Sequence, residues 1–438
     1  MNIFALFMAL CLTACSFSST VPEQVPTVPP VPVEPTTPVV APTDVMPGGG
    51  FDKFDDALIV YLRDSAKYTN ENFAISPLSL KLAMGMVAEG AAGDTKSEIL
   101  NAFGVSSTDY FRYKITKWNA FEDSLEERRE ENKKAKYEWD ITQVGAFDVS
   151  NSWWINKEKK GEIVPAYKEV LTSVYDASIS KEASKDLEPK INAWVNEKTN
   201  GLIPSVVGES VKDAQSVLVN TLYLKSSWFD EFFREENSKE AKFKTKTGDV
   251  VPKIFMNAQD DFLFYEDNNT KLLGVNTSDN HMVVYALGDI SNIEDKISKM
   301  KSEEVIVSIP KMNVESTFDG GFIPSFMQSL GIKLAFKDGL ADFSNMISDN
   351  GLYIGDIIHK TKVLTDEKGI EAAAVTAVIM MENSAFIEPS KPKEFIADKP
   401  FSFYVYNSID TDYKDVDGEF KMVFNDDADL LFFGQYVK

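Results

Sequence analysis

The sequence predicts an α+β fold, built as one large unit, on three observations. Helix signals concentrate in the first part of the chain and strand signals in the second, which argues against alternating βαβ units. One proline-rich linker occurs near the start, with no internal repeat or second linker after it. Hydrophobic residues make up 44% of the chain against 26% charged, ample for a large core. The length of 438 residues alone suggests two or three domains, a prior that yields to the missing second linker.

The first element is "MNIFALFMALCLTAC", an apolar segment too short to span a membrane and ending in small residues, as a signal peptide does. Leu12-Thr13-Ala14-Cys15 resembles a bacterial lipobox, which implies a signal peptide over 1–14 and lipid attachment at Cys15. No Lys or Arg precedes the run, a departure from the usual pattern; the competing reading is a buried N-terminal helix. Residues 15–50 then form a linker, since Val21 to Pro47 holds nine of the 19 prolines and Gly48-Gly49-Gly50 follows. Such a stretch favours extended polyproline II at about 3.1 Å per residue and could hold a folded head up to ~100 Å from a surface. Lipoprotein acylation supplies more than one chain, as stable anchoring requires. Ser16 follows Cys15 in place of the Asp associated with inner-membrane retention, so the expected location is that of an exported lipoprotein at the outer membrane or cell surface.

In the folded part, 51–438, "FDDALIVYLRD" has helical spacing, and "SPLSLKLAMGMVAEGA" starts a helix at Ser-Pro and stops it at glycine. "SVLVNTLYL", "HMVVYAL", "EEVIVSIP", "FSFYVYN" and "DLLFFGQYV" are β-branched and aromatic runs suited to strands. Several are apolar on both faces and belong inside sheets. "EERREENKK", Glu126 to Lys134, mixes signs at helical spacing and reads as a solvated face.

Composition excludes several functions. A net charge of −23 repels polyanions, and no basic patch offsets it, so nucleic acid is not an expected partner. Both cysteines, Cys11 and Cys15, precede the folded part, which leaves it without thiol nucleophiles, thiolate metal sites or disulfides. Of two histidines, His281 and His359, neither has a nearby Cys or His, and a structural hydrogen-bonding role is expected for each. "DTDYKDVDGEF", Asp410 to Phe420, fails as a calcium loop because Tyr413 and Phe424 would occupy its first and twelfth ligand positions; an acidic turn is expected. No GxSxG, HExxH, Walker or GxGxxG motif occurs in the folded part. No enzyme activity, cofactor or metal is expected.

The stretch Asp366 to Phe395, "DEKGIEAAAVTAVIMMENSAFIEPSKPKEF", is an apolar run without a polar face; from periodicity it is either a short buried helix or an interior strand. With "NFAISPLSLKLAMGMVAEGAAGDTKSEIL", "NSWWIN", "INAWVNEKTNGLI", "VLVNTLYLKSSW", "IPKMNVES", "LGIKLAFKDGLADFSNM", "HKTKVLTDEKGIEAAAVTA", "IADKPFSFYVYN" and "LLFFGQYV", it makes the chain from Phe51 to Lys438 similar to the serpin family. That resemblance implies a single domain with three β-sheets, eight or nine helices and an exposed reactive loop. It implies a suicide protease inhibitor, acting as a monomer, that traps an endopeptidase as a covalent acyl complex by inserting its cleaved loop into the main sheet. The odd composition then follows, because one segment must serve both as exposed bait and as a central strand.

The resemblance assigns roles by position. Glu367, Gly369, Ile370, Glu371, Ala372, Ala373, Ala374 and Thr376 form the hinge, where small side chains permit entry; Ile370 is larger than the Thr or Ser common there. Lys311 with Glu367, beside Trp228, marks the breach where the loop enters. Ser76, Ser79, Asn220 and His359 form the shutter, a buried polar cluster under the sheet. The reactive bond is expected at Asn383-Ser384, with Met380, Met381 and Glu382 as alternatives. Elastase-, subtilisin-, chymotrypsin- and papain-like targets all stay open. Trypsin-like ones do not, since no Lys or Arg lies between Gly369 and Ser390. The rival readings are a non-inhibitory serpin, acting as a binding protein or protease substrate, and a lipoprotein whose head binds a ligand.

Overall fold

A computed structural model of the chain describes residues 4–14, 53–135, 143–348, 351–370, 391–407, 411–416, 419–424 and 428–438. Among them are eight α-helices: α1 (Lys53–Asp64), α2 (Pro77–Gly90), α3 (Gly93–Ala102), α4 (Asp109–Asn132), α5 (Pro165–Ser173), α6 (Ser184–Lys198), α7 (Ile293–Ile297) and α8 (Phe322–Ser329). None is long and apolar enough to cross a membrane.

The strands form two large sheets and a hairpin. The main sheet has seven strands: β1 (Phe4–Ala14), β3 (Ala146–Asn156), β4 (Ser178–Glu182), β5 (Ala214–Ser227), β11 (Met312–Phe318), β12 (Leu352–Asp366) and β13 (Gly369–Ile370). Across it the order is β11, β12, then β1 and β13 sharing one position, then β5, β3 and β4. The second sheet has nine: β2 (Phe73–Ile75), β6 (Lys239–Lys244), β7 (Val250–Glu266), β8 (Thr270–Asn276), β9 (His281–Gly288), β10 (Lys301–Pro310), β14 (Lys393–Ile396), β15 (Phe401–Asn407) and β18 (Leu430–Tyr436). Long β7 pairs with β10 over Phe255–Phe264, and with β6 over Val250–Phe255 and β8 over Leu263–Glu266, which joins two smaller sheets into one. The hairpin is β16 (Thr411–Val416) with β17 (Glu419–Phe424), so the described residues of the acidic stretch that failed as a calcium loop belong to two antiparallel strands. Its connecting pair, Asp417-Gly418, is of the kind that two-residue hairpin turns favour.

Local sequence accounts for the elements that place the site. Ser76 caps α2 by accepting the Ser79 N–H at 3.3 Å, Pro77 starts the helix, and every residue to Gly90 is buried. A helix this rich in apolar residues belongs inside, and its buried Lys81 is matched there by Asp55 at 2.8 Å. Strand β5 is buried on both faces over nearly its whole length, as a central strand must be. In β11 burial alternates, with Met312, Val314, Ser316 and Phe318 inward, as at a sheet margin with one wet face. The main sheet lies between two apolar clusters, a large one shared with α2 and the second sheet, and a smaller one in which Leu187, Ile191 and Val195 of α6 pack on Val217 and Val219 of β5.

The charge-rich end of α4 differs from a merely solvated face. Glu126–Arg129 and Glu130–Lys133 pair along the helix, yet Arg128 also reaches Asp279 at 3.3 Å, and Arg129 donates to the Gly145 carbonyl. The segment Phe4–Ala14 departs from the helical reading of it. It runs as a strand between β12 and β5, antiparallel to both.

Candidate functional site along the main sheet

Among the described residues, β5 and β12 do not pair with each other; a slot one strand wide separates them, and both β13 and β1 lie in it. The chain leaves β12 at Asp366, turns where the Lys368 N–H meets Asp366 Oδ1 at 2.9 Å, and enters the slot at Gly369. There Gly369 pairs with Asp366 and Ser227, and Ile370 with Thr365 and Ser226. Glycine is required at this entry. Its φ is 140°, and an added Cβ would stand 2.3 Å from the Ser226 carbonyl oxygen.

Three groups fix the turn. Glu367 Oε2 meets Lys311 Nζ at 2.7 Å, and Ser238 Oγ donates to its other oxygen. Trp228 donates its indole N–H to the Asp366 carbonyl at 2.9 Å and its backbone N–H to the Lys368 carbonyl at 3.2 Å. Burial alone would raise the Glu367 carboxyl, but Lys311 and Ser238 outweigh it and hold the group below its ordinary value. Lys311, Glu367 and Trp228 are thus brought together at the slot's mouth.

Deeper along the slot, Ser76, Ser79, Asn220 and His359 are all fully buried and adjoin one another. The Ser76 N–H donates to His359 Nε2 at 3.3 Å, Ser79 Oγ donates to Asn220 Oδ1, and Asn220 Nδ2 donates to Asn151 Oδ1 at 2.9 Å. Asn151 in turn donates to the Tyr175 carbonyl at 2.8 Å. Burial depresses the His359 pKa to about 3, so the ring is neutral. Because Nε2 accepts, its proton sits on Nδ1. Asn220 and His359 face the slot from β5 and β12, and the helix start at Ser76 underlies them.

Sequence reasoning missed Asn151, Ser238 and Asp279. Asn151 opens "NSWWIN", and that segment was the signal available; the structure sets it on β3 directly across from Asn220 of β5. Buried Asp279 accepts from Ser226 Oγ at 2.6 Å and from the Gly145 N–H at 2.8 Å, tying β5 to the start of β3. His281 corrects the hydrogen-bonding role expected for it: it is fully buried, and neither ring nitrogen has a partner among the described residues. Instead its ring packs against Phe121 and Phe147, with centroids 5.4 and 6.1 Å away. Among the described residues no group of three or more His, Cys, Asp or Glu could hold a metal ion. Glu371, Ala372, Ala373, Ala374, Thr376, Met380, Met381, Glu382, Asn383 and Ser384 lie outside the described residues, as does Cys15.

Comparisons with known proteins agree with this architecture. The family model described as Serpin (serine protease inhibitor) matches residues 56–412. Serpin B13 of Homo sapiens is 26% identical, over 88% of this chain and 96% of its own. An uncharacterised serpin-like protein of Thermococcus kodakarensis is 27% identical, over 77% of this chain and 78% of its own. The fold is similar to that of the thermophilic serpin tengpin in its native state, with a TM-score of 0.66 at 23% identity, over 88% of this chain and 92% of that one. It is also similar to that of human thyroxine-binding globulin, with a TM-score of 0.67 at 19% identity, over 88% and 96%. Main sheet, slot and family match point the same way: this chain belongs to the serpins, which generally bind and inhibit proteases rather than act as catalysts.

Proposed function

We propose that this protein is a suicide inhibitor of a serine or cysteine endopeptidase, held at the cell surface by lipid on Cys15 and the linker 15–50. The observation that carries the reading is the position of Gly369 and Ile370. They already pair as a strand inside the slot, and the residues that follow, Glu371-Ala372-Ala373-Ala374-Val375-Thr376, are mostly small enough to continue there. Extending β13 along the slot would add on the order of ten backbone hydrogen bonds, each worth roughly 0.5–1.5 kcal/mol net, and bury the apolar run beyond.

In this mechanism the protease nucleophile attacks a carbonyl in the stretch Met380 to Ser384 and forms an acyl-enzyme. The new amino terminus, attached to residues 391–438, leaves as the amine. The acylated strand then enters the slot faster than water can hydrolyse the ester or thioester, and the protease is carried with it. Lys311, Glu367 and Trp228 define the entry, and the Ser76–Ser79–Asn220–His359 cluster lies where the strands part.

The second reading, a serpin that binds a ligand or is cut without trapping, is favoured by one observation. Ile370 is fully buried at the first inserted position, where its bulk would slow entry. Incubation of the processed protein with elastase-, subtilisin-, chymotrypsin- and papain-like proteases, followed by denaturing electrophoresis, separates the two. A denaturant-stable adduct, with mass spectrometry placing the cut at Met380 to Ser384, supports the inhibitor. Cleavage there by every protease without any adduct establishes the second reading.

A further inference from the structure

The slot between β5 and β12 has a second claimant within this chain. Strand β13 pairs Ile370 with Thr365 on one side and Ser226 on the other. Continued without a shift, that register sets residue 372 opposite Val363 and Leu224 and residue 376 opposite His359 and Asn220. Those partners are already taken: Phe4 pairs with Val363 and Leu224, and Met8 with His359 and Asn220. Both segments run antiparallel to both neighbours. The N-terminal strand therefore occupies the same slot, in the same direction and in the same register, as residues 372–382 would.

Two further observations turn this overlap into a device. First, β1 ends at Ala14, immediately before Cys15. The bond whose cleavage the lipobox implies is Ala14–Cys15, so processing there removes the whole strand and nothing else of the fold. Second, β1 leaves polar groups of the slot unmatched. His359 Nδ1, Thr361 Oγ1 and Ser216 Oγ, which sit on the residues paired with Met8, Leu6 and Leu12, are buried with no hydrogen-bond partner among the described residues. Directly opposed residues of an antiparallel pair share a face. Thr376 at the His359 register would bring a hydroxyl that can accept the Nδ1 proton, whereas methionine offers only a weakly accepting thioether.

We propose that Phe4–Ala14 is a built-in plug. While it is attached, it fills the slot, bars residues 372–382 from those partners and keeps the protein from trapping a protease. Hydrolysis of the Ala14–Cys15 bond by a leader peptidase, with water supplying the carboxylate oxygen on Ala14 and the proton on the Cys15 amine, clears the slot. Inhibition is thereby confined to processed, anchored molecules. This rests on the inhibitor reading for its consequence, but not for the occupancy itself.

The test compares the unprocessed full chain with two full-chain variants, Leu6→Pro/Leu10→Pro and Ala5→Asp/Ala9→Asp, which break β1 by removing ladder donors or by placing charge in the sheet. Having two variants guards against one failing to fold. The first readout is native mass spectrometry with the synthetic peptide FALFMALCLTA. The variants should take up one copy and the unprocessed chain none; uptake by the unprocessed chain, or by neither folded variant, overturns the plug. The second readout is adduct formation with a protease that cleaves the loop. It should be slower in the unprocessed chain by about tenfold or more, since only the unplugged fraction is competent. Equal adduct rates overturn the plug and leave the inhibitor reading standing. Peptide exclusion without adduct from any form upholds the plug's occupancy and overturns the inhibitor reading.

Discussion

Lys311 Nζ stands 2.7 Å from Glu367 Oε2 where the chain turns out of β12 toward the slot, and the carboxylate is almost wholly buried while the lysine is partly exposed. The pair pins the turn that launches β13. Replacing Lys311 by Met leaves a buried carboxylate without its cation, at an expected cost of about 1–3 kcal/mol. The thermal midpoint of the native form should fall, and spontaneous conversion to an inserted, heat-resistant form should speed up. Differential scanning fluorimetry before and after incubation at elevated temperature measures both. An unchanged midpoint would mean that Ser238 and Trp228 suffice to hold the turn.

Gly369→Ala tests the entry itself. With φ at 140° and the Ser226 carbonyl 2.3 Å from the new Cβ, the side chain cannot be accommodated without moving β5 or leaving the slot. We expect β13 to withdraw, at a cost of at least about 1 kcal/mol. The ratio of cleaved, released inhibitor to covalent adduct on a denaturing gel should then shift toward release.

Acid should weaken the fold before carboxylates are titrated. Burial holds His281 and His359 near pKa 3, against an ordinary 6.5. Each is neutral when folded and gains a proton on unfolding, so stability is lost as pH falls from about 6.5 toward 3. Each histidine costs about 2 kcal/mol by pH 5. Urea titrations at pH 7 and pH 5 read the sum. His359→Asn, which keeps an acceptor in the pocket, should halve the pH dependence.

Glu122 predicts the opposite sign. Burial, followed by the charge of Asp148, raises its pKa to about 7. The folded state thus binds its proton more tightly than the unfolded chain does, so stability declines as pH rises from about 4.5 to 7. The loss is about 1–2 kcal/mol after allowance for partial exposure. Glu122→Gln should abolish that decline and raise the urea midpoint at pH 8, with little change at pH 4.5.

Much of this was legible locally. Ser76-Pro77 marked the start of α2, and "SVLVNTLYL", "HMVVYAL" and "DLLFFGQYV" became β5, β9 and β18 because runs apolar on both faces fit only inside a sheet. What local pattern could not supply was the partner across space. Arg128 carries the spacing of a solvated helix face yet bonds Asp279, and His281 looked like a hydrogen-bonding residue yet sits among aromatic rings. The placement of Phe4–Ala14 was the hardest to see. An apolar, uncharged run satisfies a helix and a strand alike, and only the opening between β5 and β12 distinguishes between them.

The pairing of β2 with β18 bears on the order of events at the ribosome. Ile75 hydrogen-bonds opposite Phe433, and β15 and β18 fill the interval between β9 and β2. The second sheet therefore stays open until almost all of the chain has been synthesised. A nascent chain with so many distant pairings outstanding folds slowly. Its closing strands are the last to leave the ribosome, so the sheet cannot close while translation proceeds.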